Sequence, residues 1–225
     1  NTLLPSVVLM IVSKMHLFSS GGLSAMALCI ASAGGTSAGA FVKQVKGSQT
    51  LMAQSIIFLL VLSLLAITVF SSVDWIQATN LSLINLALYL VLITILPLVL
   101  GRVLRRFFSQ WAAVWQPRIE RLGSLLVILL VLALALRYGK AVLMGDIEPL
   151  LVASLLVACF ILPPLLESDI KIRRTIVLAT LVRNLTLVLS LLAVLPNAAK
   201  ILPTVLAFGL LMYTMVGVLV WRWKK

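Results

Sequence analysis

Acidic residues are scarce in this chain, which has six Asp and Glu among 225 residues and only 11% charged residues. Soluble domains carry about 25% charged residues, so the composition excludes an ordinary water-soluble fold. The acids lie between apolar runs or at their ends, which leaves no mid-membrane carboxylate to carry a proton or bind a cation. They are Asp74, Glu120, Asp146, Glu148, Glu167 and Asp169.

Histidine and cysteine are also rare, because the chain has one histidine, His16, and two cysteines, Cys29 and Cys159. Both cysteines lie inside apolar runs with no other Cys or His nearby. This spacing indicates neither a disulfide framework nor a metal site. We therefore predict no metal and no cofactor.

The segment Gly35-Thr36-Ser37-Ala38-Gly39 matches the G-x-S-x-G pattern of serine hydrolases. It lies in a helical span with no strand before it, and the single histidine lies in another span. No acid is placed to orient that histidine. We predict that the protein is not an enzyme.

Apolar residues are abundant and make up 62% of the chain. They recur in runs of about 17 to 25 residues without the alternation of barrel strands, which is typical of membrane-spanning helices. We predict an all-α polytopic membrane protein with eight transmembrane helices. The predicted spans are residues 3–17, 23–42, 49–73, 84–107, 122–138, 148–166, 172–195 and 201–221.

The 18 basic residues lie mainly between these spans. With eight spans, most bases fall on the side of the C-terminus, and Arg137, Lys140 and Lys200 fall on the other. The positive-inside rule then places both termini in the cytoplasm, and we expect a bacterial inner (plasma) membrane. Because the bases lie in loops, the net charge of +12 does not indicate nucleic-acid binding.

Residues 104–121 alternate aromatic with basic side chains and are predicted to form a basic cytoplasmic connector. Two interpretations stay open for this stretch: an amphipathic helix that lies on the membrane surface, and a plain basic loop.

Two predicted spans are interrupted near their middles by residues that a lipid-facing helix disfavours. Paired glycines weaken a helix and let another backbone approach, and an arginine at the bilayer centre costs at least about 2.5 to 3.5 kcal/mol. Interrupted helices at corresponding positions of two halves point to a transporter site at the midplane. The predicted substrate-binding residues are Gly34, Gly35, Thr36, Ser37, Arg183, Asn184 and Thr186.

Each interruption also has a structural explanation. Small residues such as Gly34 and Gly35 permit close helix packing, and an interior arginine such as Arg183 can donate to backbone carbonyls. We favour the binding interpretation for the glycine segment and leave both interpretations open for Arg183.

The broken spans divide the chain into two predicted repeats, because one uninterrupted span follows each of them. Residues 1–73 form a partial first repeat with its crossover near 34–39. Residues 84–221 form the second repeat, with five spans and a crossover near 181–186. Since the first repeat has only three spans and no initiator Met precedes it, we expect the chain to begin inside a longer protein.

Several segments resemble the bile acid:sodium symporter family. The likeness lies in Gly34-Gly35-Thr36 followed by Lys46-Gly47, in Leu96-Pro97 through Gly101-Arg102, and in Arg173-Arg174-Thr175 through Arg183-Asn184. The resemblance implies a ten-helix inverted-repeat fold with a core and a panel domain, of which helices three to ten are present. It also implies transport of small organic anions, such as bile acids or keto acids, by alternating access.

The chain departs from that family where the family binds sodium. Sodium needs several oxygen ligands, and none of the matching residues has a side-chain oxygen, so sodium coupling stays open. Arg183 is then the charge left beside the crossover to attract an anionic substrate. The alternative function is a transport-inactive member that acts as a membrane scaffold or regulatory subunit. The altered positions are Ala38, Gly39, Met52, Ile56 and Ala179.

Overall fold

A computed structural model of the chain describes residues 3–32, 34–35, 37–72, 88, 92, 96, 99–144, 147–192, 195 and 197–224. These residues are almost entirely α-helical and contain no β-strand, which confirms the all-α class. Half of the predicted span at residues 84–107 lies outside the described residues.

The helices are numbered here along the chain. A further helical segment covers residues 99–107 and precedes α5. The bounds are α1 Leu3–Lys14, α2 Ser20–Ala31, α3 Ala38–Gln44, α4 Gln49–Ser72, α5 Ser109–Met144, α6 Glu148–Leu165, α7 Ile170–Leu181, α8 Leu185–Leu192 and α9 Ala198–Lys224.

Three helices in the described part of the chain are long and apolar enough to cross a membrane. They are α4, through Gln49–Ile67, together with α6 and α9. A span needs about 20 apolar residues, and α1 and α2 fall short of that with 12 residues each. The three long helices coincide with predicted spans, and the broken spans are replaced by two pairs of short helices.

The connector predicted at residues 104–121 is not a separate element. Phe108 is the one non-helical residue between segment 99–107 and α5, and its N–H donates to the Leu104 carbonyl at 2.8 Å. Helix α5 then continues through Pro117 for 36 residues, about 54 Å at 1.5 Å per residue. Helix α5 therefore joins the basic stretch to the predicted fifth span without interruption, and the assignment of residues 104–121 to the cytoplasm stays a prediction.

Helix α9 is the central element of the bundle. It packs against α2, α3, α5, α6, α7 and α8. Phe208 of α9 is fully buried and meets Phe160 of α6 edge to face, with 6.1 Å between the ring centroids. Such aromatic pairs contribute about 0.5 to 1.5 kcal/mol beyond their buried area. The core thus lies where α6 and α9 meet the broken helices.

Helices α2, α6 and α9 begin at the same end of the bundle. Ser19 donates from its N–H and from its Oγ to Glu148 Oε1, each at 2.7 Å. A Cβ added at Gly21 would lie 2.8 Å from the carbonyl oxygen of Lys200. These contacts define the Glu148 end.

The opposite end is formed by the α3–α4 turn, the start of α7 and the last turn of α9. Ser48 N donates to Thr175 Oγ1 at 2.8 Å, and the Arg174 guanidinium lies beside the Trp223 ring. Lys200 and Trp223 are about 35 Å apart along α9 at 1.5 Å per residue. This end is called the Arg174 end below.

Candidate functional site

The first interruption separates α2 from α3. Helix α2 ends at Ala31, and the next residue, Ser32, is extended with ψ 135°. A Cβ added at Gly34 would lie 3.1 Å from the carbonyl oxygen of Ala179. That distance is shorter than ordinary van der Waals contact, so glycine is what permits the backbone of α7 to approach here.

The second interruption separates α7 from α8. Helix α7 ends at Leu181, and Val182 is extended with φ −75° and ψ 98°. Asn184 then starts α8, because its Oδ1 accepts a hydrogen bond from Leu187 N at 3.1 Å. This is the usual N-cap interaction, which satisfies one of the free N–H groups in the first turn of a helix.

The two interruptions meet. Gly34 and Arg183 form an isolated antiparallel β-bridge, and Gly35 N donates to the Val182 carbonyl oxygen at 2.7 Å. Backbone groups released by a broken helix inside a bilayer need partners from protein or from a polar cavity. At this crossing, each broken helix provides backbone partners for the other.

The Arg183 side chain is buried, with 2% of its surface exposed, and lies at the C-terminus of α2. Its Nε donates to the Cys29 carbonyl at 3.1 Å, and its Nη2 donates to the Ile30 carbonyl. The guanidinium carbon lies 4.6 Å from the centre of the Phe160 ring, within cation–π range. Arg183 therefore donates to backbone carbonyls of α2, and its role in substrate binding stays a prediction.

Arg183 completes the hydrogen bonding of the last turn of α2. An α-helix leaves its last four carbonyls without intrahelical partners. In α2 the Leu28 carbonyl accepts from Ser32 N, and the Ala31 carbonyl accepts from Ser63 Oγ of α4. Arg183 donates to the carbonyls of Cys29 and Ile30, which lie between Leu28 and Ala31 in the sequence. Its charge is favourable at the negative end of the helix dipole.

One turn of α9 lines the crossing. Arg183 N lies 3.2 Å from Met212 Sδ, which accepts its hydrogen bond. A Cβ added at Gly209 would meet the Leu185 side chain at the start of α8. The half-buried Tyr213 hydroxyl lies beside the Ser37 hydroxyl at the start of α3. Helix α9 therefore contacts both breaks.

The sequence prediction missed this turn of α9. Its available signal was a glycine and a tyrosine four residues apart, Gly209 and Tyr213, which share one face of an otherwise apolar helix. Met212 gave no signal, because methionine is an ordinary residue in an apolar span.

The predicted site residues take different positions. Gly34, Gly35 and Arg183 lie at the crossing, and Asn184 caps α8. Ser37 precedes α3 without capping it through its side chain. The remaining two are Thr186, which is exposed on α8, and Thr36, which lies outside the described residues.

The positions named above as lacking a side-chain oxygen lie mostly in the core. Ala38, Met52 and Ala179 are buried among apolar residues of the core. A Cβ added at Gly39 would meet nothing within 4 Å. Whether a substrate binds at the crossing stays a prediction.

The chain was compared with models of known protein families, and no family model matches it. A comparison with curated proteins gives no match either.

Proposed function

We propose that this protein is a secondary-transporter-like membrane protein that moves small organic anions, of the bile acid or keto acid type, by alternating access. The observation that carries the proposal is the contact between two broken helices, with Gly35 N bonded to the Val182 carbonyl. Transporters bind substrates where interrupted helices meet near the bilayer midplane. The resemblance to the bile acid:sodium symporter family supports the substrate class.

The charge at the crossing supports an anionic substrate. Arg183 is a permanent cation, and the N-terminus of α8 begins two residues later at Leu185. A helix N-terminus carries a partial positive charge. A carboxylate or sulfonate near these groups is stabilised by both, and this proposal assigns anion binding to the residues predicted from the sequence.

Arg183 also supports transport without sodium. In transporters with broken helices, the C-terminal ends of half-helices coordinate the coupling cation. Here the guanidinium donates to the carbonyls of Cys29 and Ile30 at such an end. In this proposal the tethered cation has replaced a bound ion, and the carbonyls no longer need one.

The proposal includes eight spans arranged as an inverted repeat, with both termini in the cytoplasm of a bacterial cell. The proposed orientation is supported by the way the ends of the helices group at the two ends of the bundle. Lys46, Arg174 and Arg222 belong to the Arg174 end, whereas the start of α6 with Glu148 belongs to the other. The positive-inside rule assigns the more basic end to the cytoplasm.

The test is uptake into proteoliposomes. We expect the purified protein to accumulate labelled bile acid or keto acid equally well with and without a sodium gradient. Gly35→Val is expected to abolish uptake, because a Cβ at this position would lie 3.2 Å from the Arg183 carbonyl oxygen. Gly217→Ala is the matched control, since a Cβ there would meet nothing within 4 Å. Strict sodium dependence would refute the tethered-cation argument.

A second candidate function is a transport-inactive membrane scaffold or regulatory subunit. The observation that favours it is the burial of Arg183, whose Nε and Nη2 donate to the carbonyls of α2. Under this alternative, the wild-type protein takes up no anion in either sodium condition. A folded Arg183→Ala variant then retains any cellular function of the protein, whereas the transport proposal expects that function to be lost.

A further inference from the structure

Arg174 fixes three elements to one another at the Arg174 end. Its Nη1 donates to the Val45 carbonyl in the α3–α4 turn at 3.2 Å. Its guanidinium carbon lies 6.0 Å from the centre of the Trp223 ring, in the last turn of α9. The guanidinium therefore contacts two different elements.

The same guanidinium has a donor without an acceptor. Among the described residues, Arg174 Nε is buried and has no hydrogen-bond partner. Buried polar groups are nearly always paired, and a guanidinium has an edge that binds two oxygens of a phosphate or carboxylate. Because Nη1 already contacts Val45, the Nε edge is the one left for an oxyanion. Nε itself has no exposed surface, so binding requires a small shift of the half-buried Arg174 side chain toward the surface.

The acids nearest in sequence are engaged at the start of α7. Asp169 Oδ1 caps the helix by accepting from Lys171 N at 2.7 Å and from Ile172 N at 3.0 Å. Glu167 Oε1 accepts from Asp169 N at 3.2 Å. Their carboxylates thus stabilise the turn before α7, and within the described part of the chain neither accepts a hydrogen bond from Arg174 Nε.

Cations surround Arg174. Lys46 is exposed and holds a left-handed turn with φ 56°. Lys171, Arg222 and Lys224 are also exposed at this end. Clustered bases beside a membrane span attract anionic lipids, each contributing about 1 kcal/mol near the surface by general estimates. An anion that approaches Arg174 therefore enters a positive region.

We propose that Arg174 binds the phosphate of an anionic lipid at this end of the bundle. The chemistry of the site fits any phosphate-type oxyanion. Two observations favour a lipid: Trp223 is half-buried beside the guanidinium, where tryptophan marks the level of the headgroups, and α9 is long and apolar enough to span a bilayer. The inference does not rest on transport, because it concerns the last turn of α9, beyond Gly209–Tyr213, and predicts a binding event alone.

The experiment measures thermal unfolding of the full chain in vesicles of phosphatidylcholine with increasing phosphatidylglycerol. Titrations are run in about 1 M sodium chloride, where the Debye length is about 3 Å and general surface attraction is screened. We expect phosphatidylglycerol to raise the Tm of the wild type. Arg174→Gln is expected to need at least about tenfold more phosphatidylglycerol for the same increase, as loss of a charged hydrogen-bonding partner predicts.

Arg222→Gln is the matched control, because it removes an exposed cation from the same end without touching the guanidinium of Arg174. It is expected to keep the wild-type titration at high salt. An unchanged titration in Arg174→Gln, or an equal loss in Arg222→Gln, overturns the proposal. Inorganic phosphate added to pure phosphatidylcholine vesicles distinguishes the sources, and an equal rise in Tm there overturns the assignment to a lipid.

If Arg174→Gln does not fold, Arg174→Lys is measured in the same way. Lysine keeps the charge but cannot hold the Val45 carbonyl and present a two-donor edge together. The lysine variant is expected to need several-fold more phosphatidylglycerol than the wild type. A wild-type titration in this variant contradicts the proposed role of the guanidinium edge.

Discussion

At the scale of single residues, Arg183 is the side chain on which the crossing depends. Replacement by methionine preserves much of its length but leaves the Ile30 carbonyl without its donor and removes the charge at the end of α2. We expect Arg183→Met to lower the free energy of unfolding by about 2 to 3 kcal/mol, the cost of an unsatisfied buried polar group. Reversible unfolding in mixed micelles measures this change.

The matched variant is Arg222→Met, which removes an exposed arginine from the last turn of α9. We expect a change within about 0.5 kcal/mol, as for most surface substitutions. Equal effects of the two substitutions would contradict the capping role of Arg183.

The Tyr213 hydroxyl allows a role in transport at the crossing to be tested separately from a role in stability. Tyr213→Phe removes the group that lies beside Ser37 and preserves the ring packed against the core. In proteoliposomes, we expect transport to slow by about two- to tenfold, the value of one hydrogen bond, with little change in Tm. Thr214→Val is the control, because the Thr214 hydroxyl donates to the Leu210 carbonyl within α9. Equal uptake by all three proteins would exclude Tyr213 from the substrate path.

At the scale of elements, the sequence predicts the two breaks well. Gly34-Gly35 and Arg183 are costly inside a lipid-facing helix, so their positions mark where α2 and α7 end. The sequence does not predict which groups receive the Arg183 donors, because the carbonyls of Cys29 and Ile30 have no signature of their own. The sequence also does not predict that one helix joins the basic stretch to the predicted fifth span: α5 passes through Pro117, and between residues 99 and 144 only Phe108 is non-helical.

The close approach of the two breaks gives a prediction for Gly34. A Cβ at this position would lie 3.0 Å from Leu59 Cδ1 and 3.1 Å from the Ala179 carbonyl oxygen, and the latter belongs to backbone that moves little. We expect Gly34→Ala to lower the free energy of unfolding by about 1 to 3 kcal/mol through overpacking. Gly217→Ala has open space in α9, and we expect it to raise stability by about 0.5 to 1 kcal/mol. Thermal unfolding of both variants in the same detergent measures whether the two changes in stability have opposite signs. A stabilising Gly34→Ala would mean that the two backbones are not in contact.

At the scale of the whole molecule, the two ends of the bundle are chemically different. The Glu148 end is tied by two hydrogen bonds from Ser19 to one carboxylate oxygen. The Arg174 end gathers exposed cations from three elements, including Lys46 and Arg222. Because a membrane retains clustered bases on its cytoplasmic side, this difference determines the expected orientation of every helix that joins the ends.

Single cysteines at the two ends test this orientation in intact cells. Ser20 and Arg222 are exposed at opposite ends of the bundle, and the native Cys29 and Cys159 are buried. A membrane-impermeant maleimide is expected to label Ser20→Cys in intact cells and Arg222→Cys only after permeabilisation. The unsubstituted protein measures labelling of the native cysteines. The reverse pattern would place the Arg174 end outside the cell and remove the electrostatic basis of the proposed topology. Labelling of both variants in intact cells would mean that the two ends of the bundle do not lie on opposite sides of the membrane.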